Sequence, residues 1–273
     1  MPTKAVSTKS MRAARSTALV TGASSGIGEA LAHRFAAENF DLVLVARSAD
    51  KLGSVGEILT AKYGVAVRVE SCDLSRSGAP AKLAERLKDT SIDVLVNNAG
   101  VLEQGKFIEI SPQRHQAIID LNITSLTAML LHFVPPMEQR GQGRVLNVAS
   151  VGAFQPTPSL ASYAASKAYV LSLSEALAEE LRGSGVTVTT LCPGITATNM
   201  LTQATGANDK LKQLPRFLVG DVNDVAAQGF AACMRGDAVC VPGIVNQAAM
   251  IASRGTPKWL VRRVGGFFGR RAV

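Results

Sequence analysis

The chain has 273 residues, 47% of them apolar and 18% charged, with a formal net charge of +8. That length and apolar content suit one large α/β domain with a sizeable core, and they exclude disorder over most of the chain. The charge sits at the ends: residues 1–16 carry +4 and residues 251–273 carry +6, which leaves −2 for the rest and argues against a nucleic-acid-binding face.

The four cysteines, Cys72, Cys192, Cys233 and Cys240, show neither paired nor metal-ligand spacing. They read as reduced thiols, and a cytoplasmic location is the expectation. His33, His115 and His132 are equally scattered, so no metal site is expected. Residues 1–16 read as a flexible basic leader, although their acid-free Ser/Thr/Lys/Arg composition also fits an organelle transit segment. No stretch approaches the roughly 18 uninterrupted apolar residues of a membrane helix.

From Thr17 onward, short β-branched apolar runs alternate with longer amphipathic stretches. Strands are predicted at residues 17–20, 41–46, 65–70, 92–96, 144–149, 186–191 and 238–241. Most are near-continuous apolar runs, as expected of strands buried on both faces of a parallel sheet. Helical segments between them include residues 27–38, 112–133 and 161–182. Pro135-Pro136 is expected to stop the second, and Gly183 and Gly185 to punctuate the exit from the third. The fold class is therefore α/β: a doubly wound, mainly parallel seven-stranded Rossmann sheet with helices on both faces, plus a C-terminal extension. Residues 17–250 form the single predicted domain.

The first strand runs into Thr21-Gly22-Ala23-Ser24-Ser25-Gly26-Ile27-Gly28, and a helix follows. Glycines here serve a tight turn and close backbone approach to a pyrophosphate, while the helix N-terminus offers free amides and a favourable dipole. The second strand ends in Arg47-Ser48, where a cofactor with a free ribose 2′-OH wants an acid. The Arg47 guanidinium suits a 2′-phosphate instead, so NADP(H) is the expected cofactor. A solvated arginine at a strand end is the plainer alternative.

Tyr163-Ala164-Ala165-Ser166-Lys167 places a phenol and an ammonium on one helix face. A free tyrosine, with a pKa near ~10, is a poor acid or base at neutral pH, and a neighbouring cation is expected to lower it. Ser150 ends the fifth strand, where its hydroxyl can orient a carbonyl and stabilise charge on its oxygen.

Together these motifs resemble the short-chain dehydrogenase/reductase family. The glycine pattern T-G-x-x-x-G-x-G takes that family's form, and Ser150 precedes Tyr163 by the family's separation of thirteen residues. Asn97-Asn98-Ala99-Gly100 matches its N-N-A-G, and the resemblance implies that Asp73, in Cys72-Asp73-Leu74, meets the adenine amino group. Asn122 matches the fourth member of the family's site, holding a water that links Lys167 to solvent; a buried, satisfied amide is the alternative. Pro193-Gly194-Ile195-Thr196-Ala197-Thr198 matches the segment that grips the nicotinamide carboxamide.

The implied catalytic set is Asn122, Ser150, Tyr163 and Lys167. The implied cofactor set shares Tyr163 and Lys167 with it and otherwise comprises Gly22, Ser24, Ser25, Gly26, Ile27, Gly28, Arg47, Asp73, Leu74, Asn98, Ala99, Gly100, Pro193, Gly194, Thr196 and Thr198. The implied activity is carbonyl reduction or alcohol oxidation on a small molecule. An epimerase or dehydratase on the same fold, or a non-enzymatic NADP-binding regulator, are the rival readings.

Val151, Ala153, Phe154, Leu160, Met200, Leu201, Leu211, Leu214 and Phe217 would line an apolar pocket, with residues 199–220 as a helical lid. A homodimer or homotetramer with two-fold symmetry is expected, because the two long helices are more apolar than one sheet face needs. The tail alternates Trp259, Leu260, Val261, Val264, Phe267 and Phe268 with Arg262, Arg263, Arg270 and Arg271. Such a segment either packs its apolar side on the pocket or a partner subunit, or rests weakly on an anionic membrane surface.

Overall fold

A computed structural model describes residues 15–196, 219–244, 246–248 and 250. Most of the leader, residues 199–218 of the lid segment, Thr198, the pocket candidates Met200, Leu201, Leu211, Leu214 and Phe217, and the tail from residue 251 lie outside the described residues.

Seven strands form one sheet: β1 (Thr17–Thr21), β2 (Asp41–Ala46), β3 (Val67–Ser71), β4 (Val94–Asn97), β5 (Gly143–Val148), β6 (Val186–Leu191) and β7 (Val239–Cys240). Their order is β3-β2-β1-β4-β5-β6-β7, and every pairing is parallel. The order reverses between β1 and β4, which opens a crevice at the carboxyl ends of these two strands.

Alternation along each strand divides the core in two. Ala18, Val20, Leu42, Leu44 and Val96 pack with α1 (Gly26–Ala37), α2 (Ala49–Tyr63) and α7 (Val222–Arg235). Leu19, Val43, Val45, Leu95 and Val145 pack on the other face with α3 (Ala79–Arg86), α5 (Leu126–Gln139) and α6 (Ala161–Glu180). Successive side chains of a strand point to opposite faces, so strands apolar at every position demand a helix layer on both sides.

The third strand departs from that pattern. It begins at Val67 rather than at residue 65, and Arg68, Val69 and Ser71 are exposed. It is a sheet edge with one neighbour, so only part of its surface needs apolar cover. Its single buried position, Glu70, is held by Arg68 at 2.6 Å and Arg86 at 2.8 Å.

The long helix expected over residues 112–133 is three pieces: α4 (Pro112–Ile119), a π-helical stretch (Asp120–Ser125) and α5. Pro135-Pro136 does not stop it, and α5 continues to Gln139. Two missing amide donors cost helix stability. Burial of Met137 beyond them, and the Arg140 guanidinium bonded to the Ile92 carbonyl at 2.8 Å, offset that cost. Read as one helical run, Pro112–Gln139 is also long and apolar enough to cross a membrane, which the run-by-run reading of the sequence did not foresee. Here its apolar face, from Leu126 to Met137, is buried in the second core. The exit from α6 is as predicted: Gly183 and Gly185 adopt φ of +85° and +82°.

Candidate active site

The turn from β1 into α1 is tied to the end of β4. The Thr21 hydroxyl donates to the Val96 carbonyl at 3.1 Å and accepts from the amides of Asn98 and Ala99 at 2.9 and 3.0 Å. Asn98 Nδ2 returns a bond to the Thr21 carbonyl at 2.9 Å. A Cβ on Gly28 would lie 2.3 Å from the Gly22 carbonyl oxygen and 2.4 Å from Asn98 Nδ2, so this crossing admits no side chain there. Gly22, Gly28, Asn98 and Ala99 thereby form one surface.

Ser24, Ser25, Gly26 and Ile27 are half-buried along the same turn. Ser25 is the extended N-cap of α1, and its side chain makes no capping bond. The first amides of α1 are therefore left without a side-chain acceptor, which fits a bound pyrophosphate.

Arg47 is exposed just beyond β2, where its carbonyl accepts from the Ser71 hydroxyl at 3.1 Å. Asp73 follows β3 and accepts from the Ser75 hydroxyl at 2.7 Å, with Arg76 at 3.6 Å. The Ser75 hydroxyl bond holds the Asp73 carboxyl below the usual carboxylate range, assisted by the charges of Arg47 and Arg76. Leu74 is buried and lines a small cavity with Thr21, Asn97, Ala99, Leu121 and Met129.

At the other end of the crevice, β5 and α6 run against each other and meet through three polar contacts. Ser150 lies just beyond β5, accepts from the Gly152 amide at 3.1 Å and interacts with the Tyr163 phenol. Lys167 is buried and donates from Nζ to the Val148 carbonyl at 2.8 Å, with Nζ 5.7 Å from the Tyr163 ring centroid. Deeper still, Asn147 donates to the Ser174 hydroxyl at 2.9 Å.

Asn122 lies in the π-helical stretch, and its side chain is fully engaged. Oδ1 accepts from the Val101 amide at 2.9 Å; Nδ2 donates to the Val101 carbonyl and to the Ser166 hydroxyl, both at 3.0 Å. Ser166 in turn donates to the Tyr163 carbonyl at 2.7 Å. Gly100 completes the cluster: a Cβ there would lie 3.2 Å from Asn122 Oδ1 and 3.6 Å from Lys167 Nζ.

The electrostatics correct one expectation. Burial pushes the Tyr163 phenol up from its ordinary value, and the Ser150 interaction opposes this only in part. Burial also pushes the Lys167 ammonium down to about 8. Lys167 therefore does not bring the phenol down here, and desolvation prevails at both groups. Nearby, burial pushes the Cys192 thiol up to about 12, so it stays protonated at neutral pH.

The segment after β6 closes the site. The Pro193 carbonyl accepts from the Val151 amide at 2.9 Å, and the Thr196 hydroxyl donates to the Gly194 carbonyl at 3.1 Å. Val151, Ala153 and Phe154 are half-buried against the second core, and Leu160 is half-buried before α6.

Sequence reasoning missed the bracing roles of Thr21, Asn147, Ser166 and Ser174, and missed His115. The His115 ring bonds to Ser162 at 2.8 Å and to the Phe107 carbonyl at 2.9 Å, tying the loop after β4 to the start of α6. Only Thr21 and Ser166 stood inside quoted motifs; the others carry no local signal.

A parallel sheet in this strand order, with a glycine turn at its switch point and with Tyr163 and Lys167 of α6 brought against Ser150 beyond β5, defines a Rossmann-type fold with a candidate oxidoreductase site. The family model described as short chain dehydrogenase matches residues 16–209, and the chain belongs to that family. A mouse 17-beta-hydroxysteroid dehydrogenase type 3 is 33% identical over 200 residues, 72% of this chain but 65% of the mouse enzyme. A short-chain dehydrogenase from Sphingobium yanoikuyae, solved in complex with NADPH, is 35% identical with a TM-score of 0.79, covering 88% of this chain and 93% of that one. The bulky-bulky ketone specific alcohol dehydrogenase from Comamonas testosteroni is 31% identical with a TM-score of 0.75, covering 89% and 95%.

Proposed function

We propose that the chain is an NADP(H)-dependent oxidoreductase that interconverts a hydrophobic ketone or aldehyde with its alcohol. The observation that carries this reading is the convergence of Ser150, Tyr163 and Lys167 beside Gly100 and Asn122. Arg47 at the end of β2, and the NADPH bound to the Sphingobium relative, support the phosphorylated cofactor. The ketone and hydroxysteroid named for two relatives support a bulky apolar substrate.

In this reading the amides at the start of α1 hold the pyrophosphate, and Asp73 receives the adenine amino group. When bound, the reduced nicotinamide supplies a hydride to the carbonyl carbon. Ser150 donates a hydrogen bond to the carbonyl oxygen, and Tyr163 gives its proton to the forming alkoxide. Lys167 binds the ribose hydroxyls and, once a ligand covers it, favours the phenolate left behind. Asn122 braces the π-helical stretch through which the proton is resupplied by water. The turn at Pro193, Gly194 and Thr196 faces the carboxamide.

The test is a panel of ketones, aldehydes and alcohols scored by oxidation of NADPH or reduction of NADP. Turnover of at least one bulky carbonyl compound is expected. Binding of NADPH with no turnover across the panel would favour the regulator reading instead.

Self-association through α5 and α6 belongs to the same proposal. Leu131 is 70% exposed on α5, and Tyr169 on α6 lies nearby, bonded to the Thr127 hydroxyl at 3.0 Å. Leu131 and the exposed Tyr169 put apolar surface on adjoining faces of the two long helices, which a two-fold contact between copies would cover.

A further inference from the structure

Strands β6 and β7 end alike, in Pro193-Gly194 and Pro242-Gly243, and the Cys192 amide joins them by donating to the Cys240 carbonyl at 2.7 Å. Asn246, on the helical stretch after β7, places its side chain between the two glycines. Its Nδ2 donates to the Pro242 carbonyl at 2.7 Å. A Cβ added at Gly243 would lie 3.3 Å from that nitrogen. At Gly194 the three nearest atoms would be Asn246 Nδ2, Oδ1 and Cγ, at 2.5, 2.6 and 2.8 Å.

Gly194 differs in this from the glycines of the first turn. Gly22 and Gly28 are crowded partly by backbone, and Gly22 has φ of +66°. Gly194 does not occupy the left-handed region, so its backbone would accept a side chain. The three nearest atoms all belong to one neighbouring side chain, which is itself pinned by a hydrogen bond.

We infer that Asn246 is a positioning residue for the nicotinamide end of the site, an amide wedge that sets the Pro193–Gly194 turn; the inference rests on the cofactor reading above. The turn is held on two other sides, by Val151 on the Pro193 carbonyl and by Thr196 on the Gly194 carbonyl. A displaced turn disturbs the carboxamide surface, while the Ser150 side chain keeps its own bond from the Gly152 amide at 3.1 Å. The wedge is neutral and does not touch Tyr163 or Lys167 in any described contact. Its loss acts on cofactor affinity and leaves the acid–base behaviour of the site alone.

The test is a double-mutant cycle on the full chain with Gly194→Ala, Asn246→Gly and the pair, reading NADPH and NADH Kd, kcat, KM and the pH profile of kcat. Gly194→Ala should weaken NADPH at least about tenfold, about 1.4 kcal/mol. Asn246→Gly should weaken it about threefold to tenfold with an unchanged pH profile. The pair should bind at least about threefold better than Gly194→Ala alone, because the obstacle has been removed. If Gly194→Ala yields no folded protein, adding Asn246→Gly should restore it. A pair as weak as, or weaker than, Gly194→Ala overturns the inference, as does Asn246→Gly with the parent's affinity or a shifted pH profile. A parent chain that binds neither NADPH nor NADH overturns the cofactor reading and this inference with it. A parent that binds, with an additive cycle, overturns this inference alone.

Discussion

Asn147 on β5 donates to Ser174 on α6 at 2.9 Å, and it accepts from Asn97 on β4 at 2.9 Å through its own Oδ1. Ser174 passes its proton to the Val170 carbonyl at 2.6 Å, so the bond from Asn147 is the one it accepts. All three side chains are buried, and the bond to α6 lies below those of Val148 with Lys167 and Ser150 with Tyr163. It fixes how far α6 slides along β5. Ser174→Ala leaves the Asn147 amide unpaired in the core, at an expected cost of about 1–3 kcal/mol. Urea unfolding measures it, and a loss under about 0.5 kcal/mol would show that the contact does not hold the helix.

Tyr163→Phe removes the proposed proton donor and little else. A fall of about 10²–10⁴ in kcat is expected, with NADPH affinity within about twofold of the parent. Unchanged turnover would move the proton donor to another group.

Lys167 makes stability depend on pH in a defined direction. Its folded value of about 8 lies below the ordinary ~10.4, so between them the unfolded chain holds a proton that the folded chain has released. The cost of burying this ammonium is complete below about pH 8 and is relieved as pH rises toward the unfolded value. Lys167→Met lacks the titration, so its stability relative to the parent should be most favourable near pH 7 and fall by pH 9.5. The Tyr163 phenol, pushed up by burial, keeps its proton across that window. Unfolding free energies of the ligand-free proteins check this, and a difference independent of pH would contradict it.

Arg47 should separate the two nicotinamide cofactors. NADPH is expected to bind at least about tenfold tighter than NADH, and Arg47→Ala should reduce the ratio to about threefold or less. Equal Kd values in the parent protein would remove NADP(H) from the proposal.

The proposed pairing through α5 and α6 predicts assembly. Light scattering at micromolar concentration should return twice the 28.6 kDa of the chain or more, and Leu131→Glu should lower the mass. A parent that remains monomeric would remove self-association from the proposal.

The sequence by itself determined the parallel sheet, the order of its strands along the chain and the motifs that stand at the strand ends. Those signals are local: an apolar run marks a strand, a glycine pattern marks a turn, and two side chains four residues apart share a helix face. Only the tertiary structure decided how the motifs meet. The bond from Asn147 to Ser174 spans 27 residues and that from Asn122 to Ser166 spans 44, so neither partner signals the other locally. The exposure of β3 follows from its place at the edge, and the passage of α5 through Pro135-Pro136 follows from the packing of Met137. The raised phenol of Tyr163 belongs here too. Spacing put a cation nearby, but desolvation depends on every atom around the ring, and the sequence order does not contain that sum.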